Sequence, residues 1–159
     1  MQIVFKAENI GFYVRFNESP AALEILNHLP LDGVVSKWQD EIYFETNLSV
    51  PSDGQTMDVN VGDVAYWPQG NSLCVFFGRT KDSTTDKPVP ITPVVVIGQT
   101  MAAPEELREI KAGEHVRVFM MSKTLYCSQG PNPYDDNRKL SQAEIDVLVK
   151  QLLAEKNKL

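Results

Sequence analysis

The side chains best suited to chemistry in this sequence are a carboxylate and a phenol two residues apart, Glu41 and Tyr43. They belong to the segment EIYFE, whose alternating polar and apolar residues are typical of a strand with one buried face. Successive side chains of a strand point to opposite faces, so Glu41 and Tyr43 share a face. Such a pair could bind or protonate a ligand, or it could simply form a solvated strand surface. The residues alone leave both interpretations open.

A second candidate set is aromatic and lies in GDVAYWPQGNSLCVFFG, residues 62–78. Tyr66 and Trp67 are neighbours in one strand and therefore point to opposite faces, as Phe76 and Phe77 do in the next. One residue of each pair is expected in the core, and the other could line an apolar groove. The residues predicted to bind a ligand are Glu41, Tyr43, Tyr66, Trp67 and Phe77.

The sequence predicts neither a metal site nor a bound cofactor. The only two histidines, His28 and His115, lie in separate segments, and no motif has the spacing of metal ligands. Nucleophile-elbow and glycine-rich phosphate-loop patterns are also missing from the sequence, so no catalytic residue is assigned. Asp63 follows Gly62 at a strand start, where we expect its carboxylate to accept backbone N–H groups of a tight turn rather than to act as a catalytic acid. Whether the protein is an enzyme stays open.

Charge and composition limit the partners. The 159 residues carry a formal net charge of -6 with scattered basic residues, which disfavours nucleic acid. No signal peptide and no apolar run of bilayer length are recognisable. Cys74 and Cys127 are expected to be reduced, as in a cytoplasmic protein. We expect a small-molecule or peptide partner, no nucleic acid, no membrane, and a monomer or weak homodimer.

Nine short segments of the sequence have strand patterns and are separated by turn residues, which is typical of a β-barrel or sandwich. They are QIVFKA, FYVRF, VVSKW, EIYFE, MDVNV, DVAYW, SLCVFF, PVVVIGQT and HVRVFMM. A helix is predicted from Ser19 as N-cap and Pro20 as first helical residue. Its apolar face would consist of Ala22, Leu23, Leu26 and Leu29. The polar segment 80–90 is predicted to be a surface loop.

The last part of the chain differs from the rest. Ser141 and Glu144 form a capping box ahead of a helix expected from about 142 to 156. The apolar residues on one face of this helix are Ile145, Leu148, Val149, Leu152 and Leu153. We therefore expect a barrel domain over residues 1–124 and an extension over 125–159, whose amphipathic helix packs on the barrel rather than on a second chain.

Several motifs together resemble one known family. The sequence has Gly-Asp-x-Ala-Tyr-Trp-Pro followed by Phe-Phe-Gly, with Leu29-Pro30, W..EIYFET at 38–46 and PVVVIGQ at 93–99. In this order they resemble the bacterial and archaeal cyclophilin-like family of small, functionally uncharacterised domains. The resemblance implies a mainly β fold: a closed eight-stranded barrel with short helices. The family usually has Gly-Arg-Ile where this chain has Gly98-Gln99-Thr100.

A fold alone does not specify a function. True cyclophilins isomerise prolyl bonds with an Arg beside a hydrophobic pocket, surrounded by His, Trp and Gln, and that pattern is not found here. The favoured hypothesis is a module that binds a small molecule or peptide in an aromatic groove. The alternatives are a weak peptidyl-prolyl isomerase and an accessory domain of an amide-hydrolysing system, such as 5-oxoprolinase or allophanate hydrolase.

Overall fold

The computed structural model describes residues 2–121, 145–147 and 149–150. Over these residues the protein is mainly β, with nine strands in one antiparallel sheet and few short helices. The strands are β1 (Gln2–Lys6), β2 (Gly11–Phe16), β3 (Leu31–Val34), β4 (Ser36–Lys37), β5 (Glu41–Glu45), β6 (Asp63–Trp67), β7 (Ser72–Phe76), β8 (Val95–Gln99) and β9 (His115–Met120). The named helices are α1 (Pro20–Leu26), α2 (Pro104–Leu107) and a 3-10 turn at Pro68–Gly70. None of the helices in the described residues combines the length and apolarity needed to cross a bilayer.

The sheet curls into a nearly closed barrel. Its strand order is β3-β9-β1-β2-β8-β6-β7-β5-β4, so β3 and β4 stand at opposite ends. In the chain, however, these two strands are separated by Val35 alone. The bent segment 31–37 therefore pairs with β9 on one side and with β5 on the other. Counted as one bent strand, it gives the eight strands that the sequence motifs imply, and it leaves little free sheet edge.

The barrel interior is filled by the inward-facing residues of the alternating strands. The rings of Phe5 and Phe12 are 5.4 Å apart, and those of Phe5 and Phe44 are 6.2 Å apart. Aromatic pairs at such distances add to the stabilisation from burial itself, which is about 1.5–3 kcal/mol per large apolar side chain. Other buried members of this cluster are Ile3, Val14, Phe16, Ile42, Val64, Tyr66, Leu73, Val75, Phe77, Val95, Ile97, Val116 and Val118.

Helix α1 begins as predicted but presents a different face to the barrel. The Ser19 hydroxyl accepts the Ala22 N–H at 3.2 Å, which confirms the cap. The buried residues are Ala21, Ala22 and Ile25, whereas Leu23 is 51% exposed. The predicted face was therefore wrong at Leu23. In a helix of only seven residues, Ile25 and Leu23 offer competing apolar stripes, and the contact with the barrel decides between them.

Two strand predictions were wrong. The segment MDVNV, residues 57–61, forms no strand, although Thr56 makes an isolated bridge to Val94 and Val59 is fully buried. In VVSKW, only Val34, Ser36 and Lys37 lie in strands, and β3 begins earlier, at Leu31. The Asp-Gly sequence in β3 has low intrinsic strand propensity, and its pairing with β9 overrides that preference.

Outside the barrel wall lie two smaller apolar clusters. On β1, β2 and β9, the buried residues Val4, Tyr13 and Phe119 pack against the helical residue Ile145. Gly11 permits this approach, because a Cβ there would lie 2.0 Å from Cδ1 of Ile145. We call this set the helix-covered patch. The other members of the predicted C-terminal stripe (Leu148, Leu152 and Leu153), the capping box and Cys127 lie outside the described residues, and the domain boundary at 124/125 stays a prediction.

The second cluster lies on the outer faces of β5, β6 and β7. Its buried members are Ala65 and Cys74 with Phe76, Val59 and Val94, and Tyr43 and Trp67 pack beside them. We call this set the loop-covered patch, since Val59 and Val94 come from segments outside the three strands. Glu41 and Tyr43, on the outer face of β5, belong to this side of the barrel.

Candidate functional site

A cavity of about 70 Å³ lies at the loop-covered patch. We call it the Trp38–Trp67 cavity. Two strands, a turn and a loop contribute to its wall, so residues far apart in the chain meet there. It is lined by Trp38, Glu41, Tyr43, Trp67, Pro90, Ile91 and Val94.

The turn between β4 and β5 positions one tryptophan beside the carboxyl group. The Trp38 N–H donates to the Glu41 carbonyl oxygen at 2.9 Å, and Gln39 takes a positive φ of 56° to close the turn. Asp40 anchors this turn to the C-terminal end of α2. Its carboxylate accepts hydrogen bonds from Nε and Nη2 of Arg108, the residue after α2, at 3.2 and 3.1 Å. The strand alternation of β5 then places Tyr43 on the same face as Glu41.

The second tryptophan comes from the last residue of β6. The Trp67 indole Nε1–H donates to the Thr92 hydroxyl, which ties the ring to the loop before β8. Its ring meets Tyr43 edge to face, with centroids 6.1 Å apart and an interplanar angle of 86°. Gly70 leaves room for the indole, since a Cβ there would lie 2.2 Å from Cζ3 of the ring. The orientation of Trp67 is therefore fixed from three sides.

The loop predicted over 80–90 supplies part of the outer wall and is held by its own hydrogen bonds. Thr80 is buried, and its hydroxyl donates to the Val89 carbonyl oxygen at 2.5 Å. The Ser83 hydroxyl donates to the Lys87 carbonyl oxygen at 2.7 Å and accepts the Thr80 N–H at 3.0 Å. Farther along, Val94 exchanges two backbone hydrogen bonds with Thr56. These contacts define where the chain from 90 to 94 meets the cavity.

Glu41 is the unusual residue of the cavity. It is only 6% exposed, and burial raises the pKa of its carboxyl group to about 7, against the opposing effect of a hydrogen bond with Cys74. Burial and the neighbouring carboxylate raise the pKa of the Cys74 thiol well above its usual value, so the thiol is protonated and acts as the donor. Among the described residues no Lys, Arg or His forms an ion pair with Glu41. The carboxyl group therefore holds its proton over part of the neutral pH range.

The structure brings three of the predicted site residues together and puts two elsewhere. Glu41, Tyr43 and Trp67 line the cavity. Tyr66 and Phe77 point into the barrel interior and are each 1% exposed. The Tyr66 hydroxyl lies 2.7 Å from the Leu48 carbonyl oxygen and 3.1 Å from Asn71 Oδ1, so its polar end is engaged within the fold.

Sequence reasoning gave no role to four of the lining residues: Trp38, Pro90, Ile91 and Val94. Trp38 stands three residues before Glu41 in the W..EIYFET motif, and that spacing was the available signal. The other three come from a loop about fifty residues farther along, and no local pattern links them to β5. Only the tertiary fold brings these two parts of the chain together.

The remaining candidate groups have structural roles or lie apart from the cavity. The Asp63 carboxylate accepts the Asn60 N–H at 2.8 Å and the Gln99 side-chain amide at 3.2 Å, which confirms its predicted role in the turn. The side chain of Gln99, in the Gly98-Gln99-Thr100 segment, thus binds Asp63. His28 and His115 are exposed outside the cavity, and within the described ranges no cluster of three metal-ligating side chains is found.

Comparison with known proteins agrees with this architecture. A family model described as cyclophilin-like matches residues 1–119. The chain belongs to the cyclophilin-like family. A solved structure of a hypothetical protein from Archaeoglobus fulgidus is 32% identical over 75% of this chain and 93% of its own, with a TM-score of 0.62. No functionally curated protein matches the chain.

The matched region includes the cavity lining as far as the structure describes it. All the described residues that line the Trp38–Trp67 cavity lie within residues 1–119. By contrast, Ile145 and Val149 of the helix-covered patch lie beyond the match.

Proposed function

We propose that this cyclophilin-like protein is a binding module for a small molecule, which it holds in the Trp38–Trp67 cavity. One observation carries the proposal: three aromatic side chains and one buried carboxyl group converge on the same cavity from separate segments. An apolar wall with a few oriented polar groups is the usual composition of a small-molecule site. Membership of the cyclophilin-like family defines the barrel, but it does not specify the ligand.

The cavity combines unfilled volume with a buried carboxyl group, and both lower the stability of the fold. This cost favours a binding role. Protein interiors are normally filled to the density of organic crystals. Here a cavity of about 70 Å³ remains beside a carboxyl group that is 6% exposed. An aliphatic residue at position 41 would extend the apolar patch without the free-energy penalty of a buried carboxylate. A ligand that contacts Glu41 would offset that penalty.

The barrel geometry favours a small molecule over an extended peptide. A peptide that binds by strand addition needs an exposed sheet edge. The segment 31–37 pairs on both sides and leaves little such edge. A cavity of about 150 Å³ holds benzene, so about 70 Å³ corresponds to about three non-hydrogen atoms. That is the size of one functional group of a small molecule.

The chemistry of the lining favours binding over catalysis. In the part of the lining that the structure describes, the titratable side chains are one carboxyl group and one phenol, Glu41 and Tyr43. Cys74 is 1% exposed, and its raised pKa keeps it as the poorly nucleophilic thiol. No arginine is among the described residues that line the cavity, so nothing there favours the prolyl isomerase alternative.

A thermal-shift screen of the full chain against a chemically diverse metabolite library tests the proposed function. The lining variant is Tyr43→Leu, and the matched control is Val34→Ala, a strand residue that is 52% exposed and outside the cavity. A ligand at about 100 times its Kd stabilises a protein by about 2.7 kcal/mol, which raises Tm by several degrees. We expect such a shift for the wild type and the control and a smaller one for Tyr43→Leu, each measured against its own unliganded Tm. Equal shifts in all three proteins, or none with any compound, would contradict the proposal.

A further inference from the structure

We propose that the ligand of the Trp38–Trp67 cavity is a small organic cation of the methylated-ammonium class. This inference rests on the proposed function, because it names the chemical class of ligand for the same site. It follows from the combination of aromatic rings with a carboxyl group that has no cationic partner among residues 2–121, 145–147 and 149–150.

The aromatic lining is suited to a cation. A cation within about 6 Å of an aromatic ring centroid is attracted by the ring quadrupole, most strongly for Trp. Trp38, Tyr43 and Trp67 all line the cavity. The near-perpendicular rings of Tyr43 and Trp67 form adjacent walls, and the anchored turn brings Trp38 beside Glu41. Quaternary ammonium groups are recognised in such aromatic surroundings.

Glu41 supplies the charge that distinguishes a cation from a neutral ligand of the same shape. An ionised carboxylate only accepts hydrogen bonds, and here its described partner is the Cys74 thiol. Among the described residues that line the cavity, none has a basic side chain. A buried carboxylate is stabilised by a paired positive charge. A cationic ligand would provide the counter-charge that the described residues around Glu41 do not.

The size and the remaining wall are also consistent with this class. The cavity volume of about 70 Å³ corresponds to about three non-hydrogen atoms. It would therefore hold the methyl groups on one side of a methylated ammonium head, and the rest of the ligand would lie outside it. Pro90, Ile91 and Val94 offer apolar contacts for methyl groups, and Ile91 is 54% exposed at the outer side. A primary ammonium group is strongly hydrated, so it would bind to this apolar wall less well than a methylated ammonium group.

Protonation of Glu41 makes the proposal testable by pH. The titratable side chains that face it are Tyr43 on β5 and Cys74 on β7, whereas Trp67 and residues 90–94 contribute none. Glu45 lies on the same face of β5 but is exposed. Because the carboxyl pKa is raised to about 7, a cation must displace a proton at lower pH. Affinity should then rise about tenfold per pH unit below pH 7 and level off above it. A neutral ligand that accepts a hydrogen bond from the protonated carboxyl group would show the opposite trend.

The two tryptophans of the chain provide the readout, since Trp38 and Trp67 both line the cavity. The full chain is titrated with choline and, separately, with the uncharged isostere in which a carbon atom replaces the quaternary nitrogen. We expect a saturable change in tryptophan fluorescence with choline and at least about tenfold weaker binding of the isostere. Glu41→Gln should remove both the preference and the pH dependence. Glu45→Gln, which removes the same charge from the same face of β5 outside the cavity, should keep both.

The outcomes separate this inference from the function on which it rests. Equal affinity for the two compounds, preference for the isostere, or affinity that falls as pH rises would overturn the cation proposal and leave a small-molecule site. No response to either compound would also overturn it, and the metabolite screen would then decide independently whether the cavity binds another class. If Glu41→Gln fails to give a cooperative melting curve, the wild-type pH profile and the isostere comparison still test the cation proposal.

Discussion

The helix-covered and loop-covered patches lie on different outer faces of the same barrel, and they differ in how completely they are covered. Val4, Tyr13 and Phe119 pack against a helical residue, Ile145, which is fully buried. The loop-covered patch is also apolar near Cys74 and Phe76, yet beside it remain a cavity and a buried carboxyl group. The chain covers both patches, but a cavity remains beside the loop-covered patch, and we propose this cavity as the ligand site.

The difference also explains why the two patches should respond to different perturbations. Contacts at Ile145 are apolar, so removing them should reduce stability with no dependence on pH through that residue. At Glu41, burial couples stability to protonation. Substitutions that affect stability, pH dependence and ligand affinity separately can therefore test whether the patches really have different roles.

The largest effect is expected at the helix-covered patch. Ile145→Ala removes a fully buried side chain and should lower the free energy of unfolding by about 2–5 kcal/mol. Val147→Ala is the matched control, because Val147 belongs to the same helical segment but is 45% exposed. Its effect should be within about 0.5 kcal/mol. Chemical unfolding measures both, and equal effects of the two substitutions would contradict the packing of this helix on the barrel.

The next largest effect is the pH dependence due to Glu41. Its carboxyl pKa rises from 4.5 to about 7 in the folded protein, so folding favours the protonated form. The contribution of this group to stability is greatest below about pH 4.5, decreases as pH rises to about 7, and is constant above. The total change is about 3 kcal/mol.

Glu41→Gln should remove this slope, so the variant should gain stability relative to the wild type as pH rises. The exposed neighbour Glu45 on the same strand gives the control Glu45→Gln, which should retain the wild-type slope. Unfolding curves recorded at several pH values check this. Parallel pH profiles for wild type and Glu41→Gln would show that the carboxyl group is not buried as described.

A smaller effect is expected from Tyr66, whose side chain belongs to the barrel interior. Tyr66→Phe removes a hydroxyl group bonded to Leu48 and Asn71 and should lower stability by about 1–2 kcal/mol. Since Tyr66 is 1% exposed and does not line the cavity, choline affinity should be unchanged. Denaturant unfolding and fluorescence titration provide the two measurements. A selective loss of affinity with unchanged stability would place Tyr66 in the ligand site.

Much of the fold could be predicted because alternating residues record which strand faces are buried. In β5, Ile42 and Phe44 enter the interior while Glu41 and Tyr43 face outward, as the sequence predicts. Residues 57–61 have the same alternation without forming a strand. Of the three apolar residues only Val59 is buried, whereas Met57 and Val61 are 44% and 52% exposed. In this segment alternation predicted neither a paired strand nor a buried face.

The candidate site was less predictable for two physical reasons. Alternation shows that Tyr66 and Trp67, or Phe76 and Phe77, face opposite ways, but it does not tell which of the two enters the barrel. The wall formed by Pro90, Ile91 and Val94 depends on where a long loop crosses the outer face of the sheet. Such a contact between distant segments has no local sequence signal.

The most direct test of the central claim is an NMR measurement of contacts between choline methyl groups and the isotopically labelled full chain. The account predicts intermolecular NOEs to the indole protons of both Trp38 and Trp67, with further contacts to Ile91. These NOEs should be lost when the uncharged isostere replaces choline at the same concentration. NOEs confined to another exposed apolar site, such as Met101 at 69% exposure, would contradict the assignment of the Trp38–Trp67 cavity as the ligand-binding site.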